Sequence, residues 1–353
     1  MKADHCTALV EVTRGEIVES IHFGGFCVID SHGRMLACEG DPELLSFPRS
    51  SLKPFQALPF IERKGADAFD FTQQEIAIMC ASHAGTNLHT SVLERMHQKI
   101  GIKEGDLACG VHWPGDAATR DAMKRAGEEP TPFRHNCSGK HTGMLAHACL
   151  RGFDKKEYLD PQHPVQVSIR ETLAEMVEMA PDEMPIGTDG CSAPVYGIPL
   201  KNMAKAVAVM ADPFDIEPHR AKACRRITGA MMAHPLMIAG PGKFDTSLMT
   251  VAEGKIFSKG GAEGYQIIGV MPSTLYDDSP GLGIAIKISD GDAKGRARTL
   301  VSLTLLKALG VIDEADLEKL DGFGNFVVKN WRNITIGEVR PTFSLSAIQG
   351  GIS

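Results

Sequence analysis

The sequence lacks several features that mark other classes of protein. None of its nine cysteines forms a Cys-x-x-Cys pair, which argues against a zinc ribbon or a thioredoxin-type redox motif. No stretch approaches the about 18 consecutive apolar residues of a membrane span. The formal net charge is −7 and no long run of one sign occurs, so a nucleic-acid binder with a basic face is not expected.

The first residues also lack the pattern of a secretory signal, because no apolar segment follows Lys2. We therefore expect a soluble, cytoplasmic protein whose thiols are reduced and mostly buried as small apolar side chains. The sequence shows no internal repeat, low-complexity segment or linker. With 353 residues, 43% of them hydrophobic, the chain can form a substantial core.

Strand-like segments lie near both ends of the chain, and helix-like segments lie between them. Residues 7–40 contain short β runs separated by glycine-containing turns, and residues 245–345 return to that pattern, with one strand predicted over 248–252. The intervening region, about 50–235, reads as helices. The pattern predicts an α+β fold over residues 1–353: one domain, with a central antiparallel sheet from both termini and an inserted helical region.

The segment from Phe47 to Pro54 contains a serine and a lysine three residues apart, Ser50 and Lys53. On a helix these positions share a face, with Cβ atoms about 5–6 Å apart. A neutral lysine amine can then take the proton from the serine hydroxyl and activate it as a nucleophile. The simpler interpretation is a helix start, with Ser50 or Ser51 as the N-cap and Lys53 in solvent.

Two later segments supply a second serine and a second lysine, Ser82 in Ala-Ser-His and Lys259 before two glycines. Serine β-lactamases and penicillin-binding proteins carry Ser-x-x-Lys, then Ser-Asp-Asn, then Lys-Thr-Gly. The order and rough placement match here, although the second and third triplets differ in their letters. The match favours a catalytic role for all four residues and leaves open whether Ser50 or Ser82 attacks.

Two polar loops carry further reactive groups, Cys137 with Lys140 in one and Asp189 with Cys191 in the other. From the residues alone, two buried free thiols are the simplest interpretation. For a small amino-acid substrate, Asp189 suits an α-amino group, and Arg49 or a lysine suits an α-carboxylate.

Together with the segments around Ser50, Ser82 and Lys259, these two loops make the chain resemble the Rhizobium etli-type L-asparaginases of the asparaginase II family, over essentially its whole length. The resemblance implies a serine β-lactamase-like fold, a homodimer, and hydrolysis of L-asparagine to L-aspartate and ammonia.

The resemblance also implies roles for individual residues. Ser50 is expected to be the nucleophile and Lys53 its base, with Ser82 and Lys259 as a second Ser–Lys pair. Cys137, Lys140 and Cys191 are expected to hold a zinc ion, which we interpret as positioning substrate or stabilising loops. Asp189 is expected to help hold the charged end of the substrate or the shell around the metal, and Arg49 and His83 are further expected substrate-binding residues.

Two other functions compete with this one. A β-lactamase-like or penicillin-binding-protein-like esterase or acylase is disfavoured by the missing Lys-Thr-Gly triplet and the absence of an export signal. A non-catalytic amino-acid-binding protein, with Ser50 inert, is distinguished by a Ser50→Ala variant, which would then keep its function.

Overall fold

The structure is a computed structural model that describes residues 3–324 and 327–343. The strands are β1 Thr7–Arg14, β2 Ile17–Asp30, β3 Met35–Glu39, β4 Leu45–Ser46, β5 Ile186–Thr188, β6 Pro194–Tyr196, β7 Ile198–Pro199, β8 Ile256–Gly261, β9 Tyr265–Val270, β10 Leu282–Ile288, β11 Val327–Lys329 and β12 Thr335–Pro341.

The α-helices are α1 Lys53–Glu62, α2 Gly65–Ala68, α3 Gln73–Met79, α4 Asn87–Ile100, α5 Ala117–Ala126, α6 Ser138–Arg151, α7 Pro164–Val177, α8 Leu200–Ala211, α9 Pro218–Ala233, α10 Pro235–Ile238, α11 Phe244–Val251, α12 Arg296–Ala308 and α13 Glu314–Lys319. No helix among the residues described is long and apolar enough to cross a membrane.

The described chain divides into two compact units. The first unit is formed by the described residues within the segments Met1–Ser51, Ile198–Phe214 and Val251–Ser353. It contains the main antiparallel sheet, in the order β11-β12-β1-β2-β10-β9-β8, with β3 also paired to β2. β10 is buried along its whole length between β2 and β9, as expected for a central strand.

Helix α8 packs against β10 and β2 of this sheet, and α12 packs against β10, β1 and β12. Gly283 of β10 makes the α8 contact possible, because a Cβ at this position would lie 1.9 Å from the carbonyl oxygen of Ala204. In a strand, alternate residues share a face, so Ala285 and Lys287 point to the same side of β10 as this contact.

The second unit is formed by Leu52–Gly197 and Asp215–Thr250 and is mainly helical. Helix α1 is central to it and packs against α9, α7 and α6, so nearly all its side chains are buried, including Phe55 and Leu58. Helix α3 begins with a capping box, in which Thr72 and Glu75 exchange hydrogen bonds.

The predicted mixed fold with an antiparallel sheet is confirmed, while the likeness to serine β-lactamases stays a prediction. The strand predicted over 248–252 is wrong, since residues 248–251 belong to helix α11. Phe244, Leu248 and Met249 of that helix are all buried, which is the spacing of a helix face rather than of a strand.

Candidate active site

Ser50 lies in a short 3-10 turn, Arg49–Leu52, at the end of the first segment of the first unit. Arg49 has a φ of 53°, which is rare for a residue with a long side chain. Backbone of this kind costs on the order of 1–3 kcal/mol and persists only where its surroundings hold it.

Strand β8 provides those surroundings. The Ser51 hydroxyl donates a hydrogen bond to the Lys259 carbonyl oxygen at 2.9 Å. A Cβ at Gly261 would lie 2.3 Å from the Pro48 carbonyl oxygen, so glycine permits the close approach of this segment. Because Lys259 and Gly261 share a face of β8, the 48–51 segment lies on the side to which the Lys259 side chain points.

The Lys259 side chain is almost fully buried, and its Nζ donates to the Gly260 carbonyl oxygen at 2.6 Å. The structure thus places Ser50, Arg49 and Lys259 in one region of the first unit. The sheet contributes the lysine, and the chain that leaves β4 contributes the serine.

Lys53 and Ser82 come together in the second unit. Lys53 is the first residue of α1 and is fully buried, so the alternative in which it is a solvated lysine is wrong. The N-cap of that helix is Leu52, without a side-chain cap, so neither Ser50 nor Ser51 caps it. Ser82 follows α3, and its backbone N–H donates to the Ile238 carbonyl oxygen at 2.8 Å, which anchors the loop.

Lys53 Nζ contacts three oxygens: the Ala81 carbonyl at 2.5 Å, the Ser82 hydroxyl at 2.9 Å and the Asn136 carbonyl at 3.4 Å. The two carbonyls can only accept hydrogen bonds. In the neutral amine they take up both N–H groups, so the lone pair is left facing the Ser82 hydroxyl. The arrangement therefore suits both the ammonium form and a base that receives the proton of Ser82.

The sequence did not predict this pair. It paired Lys53 with Ser50 and Ser82 with Lys259, and those two pairings stay predictions. The anchoring carbonyls of Ala81 and Asn136 were also missed, because backbone acceptors have no letter in a sequence motif.

The residues expected to hold a metal form a buried cluster in the second unit. Cys137 lies just before α6, as its N-cap residue, and Lys140 lies in the first turn of that helix. Lys140 Nζ donates to Cys191 Sγ at 2.9 Å and lies 3.9 Å from Asp189 Oδ2. The exposed fractions of Cys137, Lys140 and Cys191 are 4%, 4% and 1%.

The cluster is arranged to hold one thiolate. A hydrogen bond from Cys191 keeps the pKa of Cys137 well below its usual value, against the opposing effect of burial, and Lys53 and Lys140 add to the lowering. The same hydrogen bond, together with burial, raises the pKa of Cys191. Burial disfavours the charged form of Lys140, but Cys137, Cys191 and Asp189 outweigh it and raise the pKa of that lysine.

The donors present fit a zinc ion in part. A pair of neighbouring sulfurs, one already acidified, is what zinc prefers, and lysine is an unusual third ligand. Across residues 3–324 and 327–343, no group of three or more His, Cys, Asp or Glu side chains is placed to hold a metal. A metal here would therefore depend on the lysine.

His83 is buried, and both of its ring nitrogens have partners. Nδ1 accepts from the Gly85 N–H at 3.2 Å, which leaves the proton on Nε2, and Nε2 donates to the Ser138 hydroxyl at 2.9 Å. Ser138 in turn donates to the Phe133 carbonyl oxygen. Burial, followed by the neighbouring His89, lowers the pKa of His83 well below its usual value, so the ring is neutral.

This chain of hydrogen bonds joins the loop of Ser82 to the start of α6, next to Cys137. No role was predicted for Ser138, because the spacing of residues along the chain does not show which side chain His83 contacts. His141 Nδ1 shares a hydrogen bond with the Tyr158 hydroxyl at 2.6 Å, and His135 Nδ1 accepts one from the Cys137 N–H at 3.0 Å.

A family model described as L-asparaginase II matches residues 10–341, nearly the whole chain, and the expected family is confirmed. No curated protein matches the chain.

Among solved structures, one described as Mglu in its glutamate form is 13% identical, with a TM-score of 0.44, over 85% of this chain and 62% of that one. A probable glutaminase from Bacillus subtilis, complexed with 6-diazo-5-oxo-L-norleucine, is 14% identical, with a TM-score of 0.38, over 82% of this chain and 84% of that one. A Bacillus glutaminase in 4.3 M NaCl is 13% identical, with a TM-score of 0.39, over 82% of this chain and 91% of that one. The chain thus spans less than two thirds of the length of the Mglu structure.

Proposed function

The chain belongs to the L-asparaginase II family, and we propose that it hydrolyses the side-chain amide of L-asparagine to give L-aspartate and ammonia. Family membership supports an amidohydrolase. The observation that carries the proposal further is the buried contact of Lys53 Nζ with the Ser82 hydroxyl at 2.9 Å, because amide hydrolysis needs groups that can pass a proton from the nucleophile to the leaving nitrogen.

We assign the attacking oxygen to Ser50, on its Ser-x-x-Lys pattern, and proton transfer to Lys53 and Ser82. The Ser50 oxygen adds to the amide carbon as the Ser50 proton passes to the neutral amine of Lys53. The tetrahedral intermediate collapses when that proton is returned to the leaving nitrogen, which releases ammonia and leaves an aspartyl ester. Water then attacks the ester, restores the serine and gives aspartate.

Lys259 is proposed as the second catalytic lysine. Its positive charge would stabilise developing negative charge on oxygen. Arg49 is proposed to bind the substrate α-carboxylate and Asp189 the α-amino group. For His83 we propose a positioning role instead of substrate binding, since its two nitrogens are already used within the second unit.

We also propose that Cys137, Lys140 and Cys191 hold a zinc ion and that the protein is a homodimer. When bound, zinc would supply a fixed positive charge that orders the two loops and the substrate beside them. The acidified thiol of Cys137 supports the zinc site, because the thiolate is the form that binds metal.

Size-exclusion chromatography with light scattering tests whether the protein is a homodimer, and a monomer mass would refute that proposal.

The decisive experiment measures ammonia release from L-asparagine and L-glutamine by the wild type, Ser50→Ala and Ser82→Ala. Ser91→Ala is the matched control in the second unit, because the Ser91 hydroxyl donates only to a carbonyl within its own helix, that of Leu88. We expect loss of asparagine hydrolysis in the first two variants and none in the control. Full asparagine hydrolysis by Ser50→Ala would refute Ser50 as the nucleophile and favour Ser82, whereas no ammonia release by the wild type would favour a binding protein.

A trapping experiment separates the two serines. Acid quenching during turnover, followed by tryptic mapping, should place an aspartyl ester on the peptide of residues 50–63. An ester on residues 65–95, the peptide that contains Ser82, would reverse the assignment. Glutamine is expected to react more slowly, although one methylene in a pocket discriminates by only about 1–3 kcal/mol.

A further inference from the structure

Two cysteines that the proposed reaction does not use face each other across paired strands of the first unit. Cys27 of β2 is directly opposite Cys38 of β3 in the antiparallel register. Their sulfur atoms are 3.4 Å apart, and both are free thiols in this structure. Opposed residues in an antiparallel pair have Cβ atoms about 4.5–5.5 Å apart. A disulfide needs about 3.5–4.5 Å, so only a small approach of the two strands is required.

The surroundings of the two thiols differ in a way that sets an order of reaction. Cys27 is fully buried, whereas Cys38 is half-buried and its sulfur lies 3.7 Å from the Gly40 carbonyl oxygen. An oxidant arriving from solvent therefore meets Cys38 first.

We propose that Cys27 and Cys38 are an oxidation site that closes to an intrachain disulfide when the protein meets a peroxide. The Cys38 thiolate attacks one peroxide oxygen, the O–O bond breaks, and Cys38 becomes a sulfenic acid while hydroxide leaves and is protonated to water. The Cys27 sulfur then attacks the Cys38 sulfur, an S–S bond forms and a second water leaves. In total, two thiols and one hydrogen peroxide give one disulfide and two waters.

The electrostatics agree with this order. The hydrogen bond with Cys27 lowers the pKa of Cys38, against burial and the nearby Glu39 and Asp41. The same hydrogen bond, with burial, raises the pKa of Cys27. Cys38 is thus the thiol that ionises, as the attacking group of the first step must.

The bond would tie β3 to a strand in the middle of the main sheet. β3 is paired to β2 outside the main strand order and is followed by the chain that leads to β4 and the Arg49–Leu52 turn. Oxidation would therefore fix the strand from which that chain departs. A disulfide here is independent of the identity of the substrate and can be tested without it.

The test is tryptic mapping of the folded wild type after brief hydrogen peroxide treatment and alkylation of remaining thiols. Cleavage at Arg14, Arg34 and Arg49 puts Cys27 on residues 15–34 and Cys38 on residues 35–49, each as the sole cysteine of its peptide. We expect the two peptides to be joined, with a mass lower by two hydrogen atoms, and to separate on reduction.

Two matched variants complete the test. Cys38→Ser should abolish the joined peptide, and Cys149→Ser, which removes another half-buried thiol, should leave its yield unchanged. The proposal is refuted if wild-type Cys27 and Cys38 are both recovered alkylated, or if Cys38 is recovered as a sulfinic acid beside a free Cys27. Because the wild type alone gives these outcomes, poor folding of a variant does not remove the test.

Discussion

Replacing Lys53 with methionine removes the amine at the centre of the proposed chemistry while keeping most of the side-chain volume. We expect kcat for asparagine to fall by about 10²–10⁴, the usual contribution of a positioned proton-transfer group. That loss corresponds to about 3–5 kcal/mol of transition-state stabilisation. If Lys53 and Ser82 act as a unit, Lys53→Met combined with Ser82→Ala should be no slower than the slower single variant.

The same substitution also changes the stability of the fold, and the size of that change follows from the hydrogen bonds that Lys53 Nζ makes. The Ala81 carbonyl loses a partner at 2.5 Å and the Asn136 carbonyl one at 3.4 Å. A buried unpaired carbonyl costs about 1–3 kcal/mol. Removal of a fully buried amine from the interior offsets part of this, so we expect a net loss of stability of a few kcal/mol at most.

The assay is steady-state ammonia release together with urea unfolding of the same preparations. Lys99→Met is the control, since Lys99 also donates to a backbone carbonyl, that of Asp70, and to Glu75, with no role in the proposed reaction. It should lose stability but keep kcat. In the Lys53→Met and Ser82→Ala double variant, the fold-losses of the two single variants could instead multiply. That result would refute the idea that Lys53 and Ser82 form one proton-transfer unit.

Three further predictions concern the second unit. His83→Leu should lower kcat and shift its pH profile, whereas His83→Gln, which keeps a donor for Ser138, should recover much of the activity; equal losses in both variants would contradict a positioning role. Metal analysis of Cys191→Ser should show zinc lost from a protein that otherwise contains it, and unchanged zinc content would exclude the site. Burial, with help from Arg63 and Arg151, lowers the pKa of His147 to about 4, so its neutral form is favoured in the folded state. Stability from this group is present above the unfolded-state pKa of about 6.5 and is lost as the pH falls towards 4, by up to about 3 kcal/mol. Urea unfolding of His147→Phe should show a flatter dependence between those pH values, and an unchanged slope would contradict the assignment.

The fold was predictable where the sequence has a strong local period or cap. The strands near both ends follow directly from alternation and turns, and helix α3, which begins at Gln73, has a capping box formed by Thr72 and Glu75. The strand predicted over 248–252 failed because an apolar run of that length fits either structure. Phe244 is buried together with Leu248 and Met249, four and five positions later, and this spacing identifies a helix.

The candidate site was predictable as a set of residues but not as a set of contacts. Ser50, Lys53, Ser82 and Lys259 stand out because serine and lysine carry the chemistry. Which serine a lysine touches depends on how α1, the loop after α3 and the turn before α6 pack together, and no spacing along the chain encodes that. The role of His83 was missed for the same reason, since its partner Ser138 lies 55 residues away.

The pairing of β1 with β12 has a consequence for how the protein is made. Val10 is opposite Pro341 in the sheet, so β1 leaves the ribosome long before its partner exists. At roughly 5–20 residues per second, the delay is roughly 20–60 s. During that time the edge of β1 that β12 will cover has unpaired N–H and C=O groups and can pair with another nascent chain. Yield in a cell should therefore depend on chaperones that shield this edge until synthesis is nearly complete.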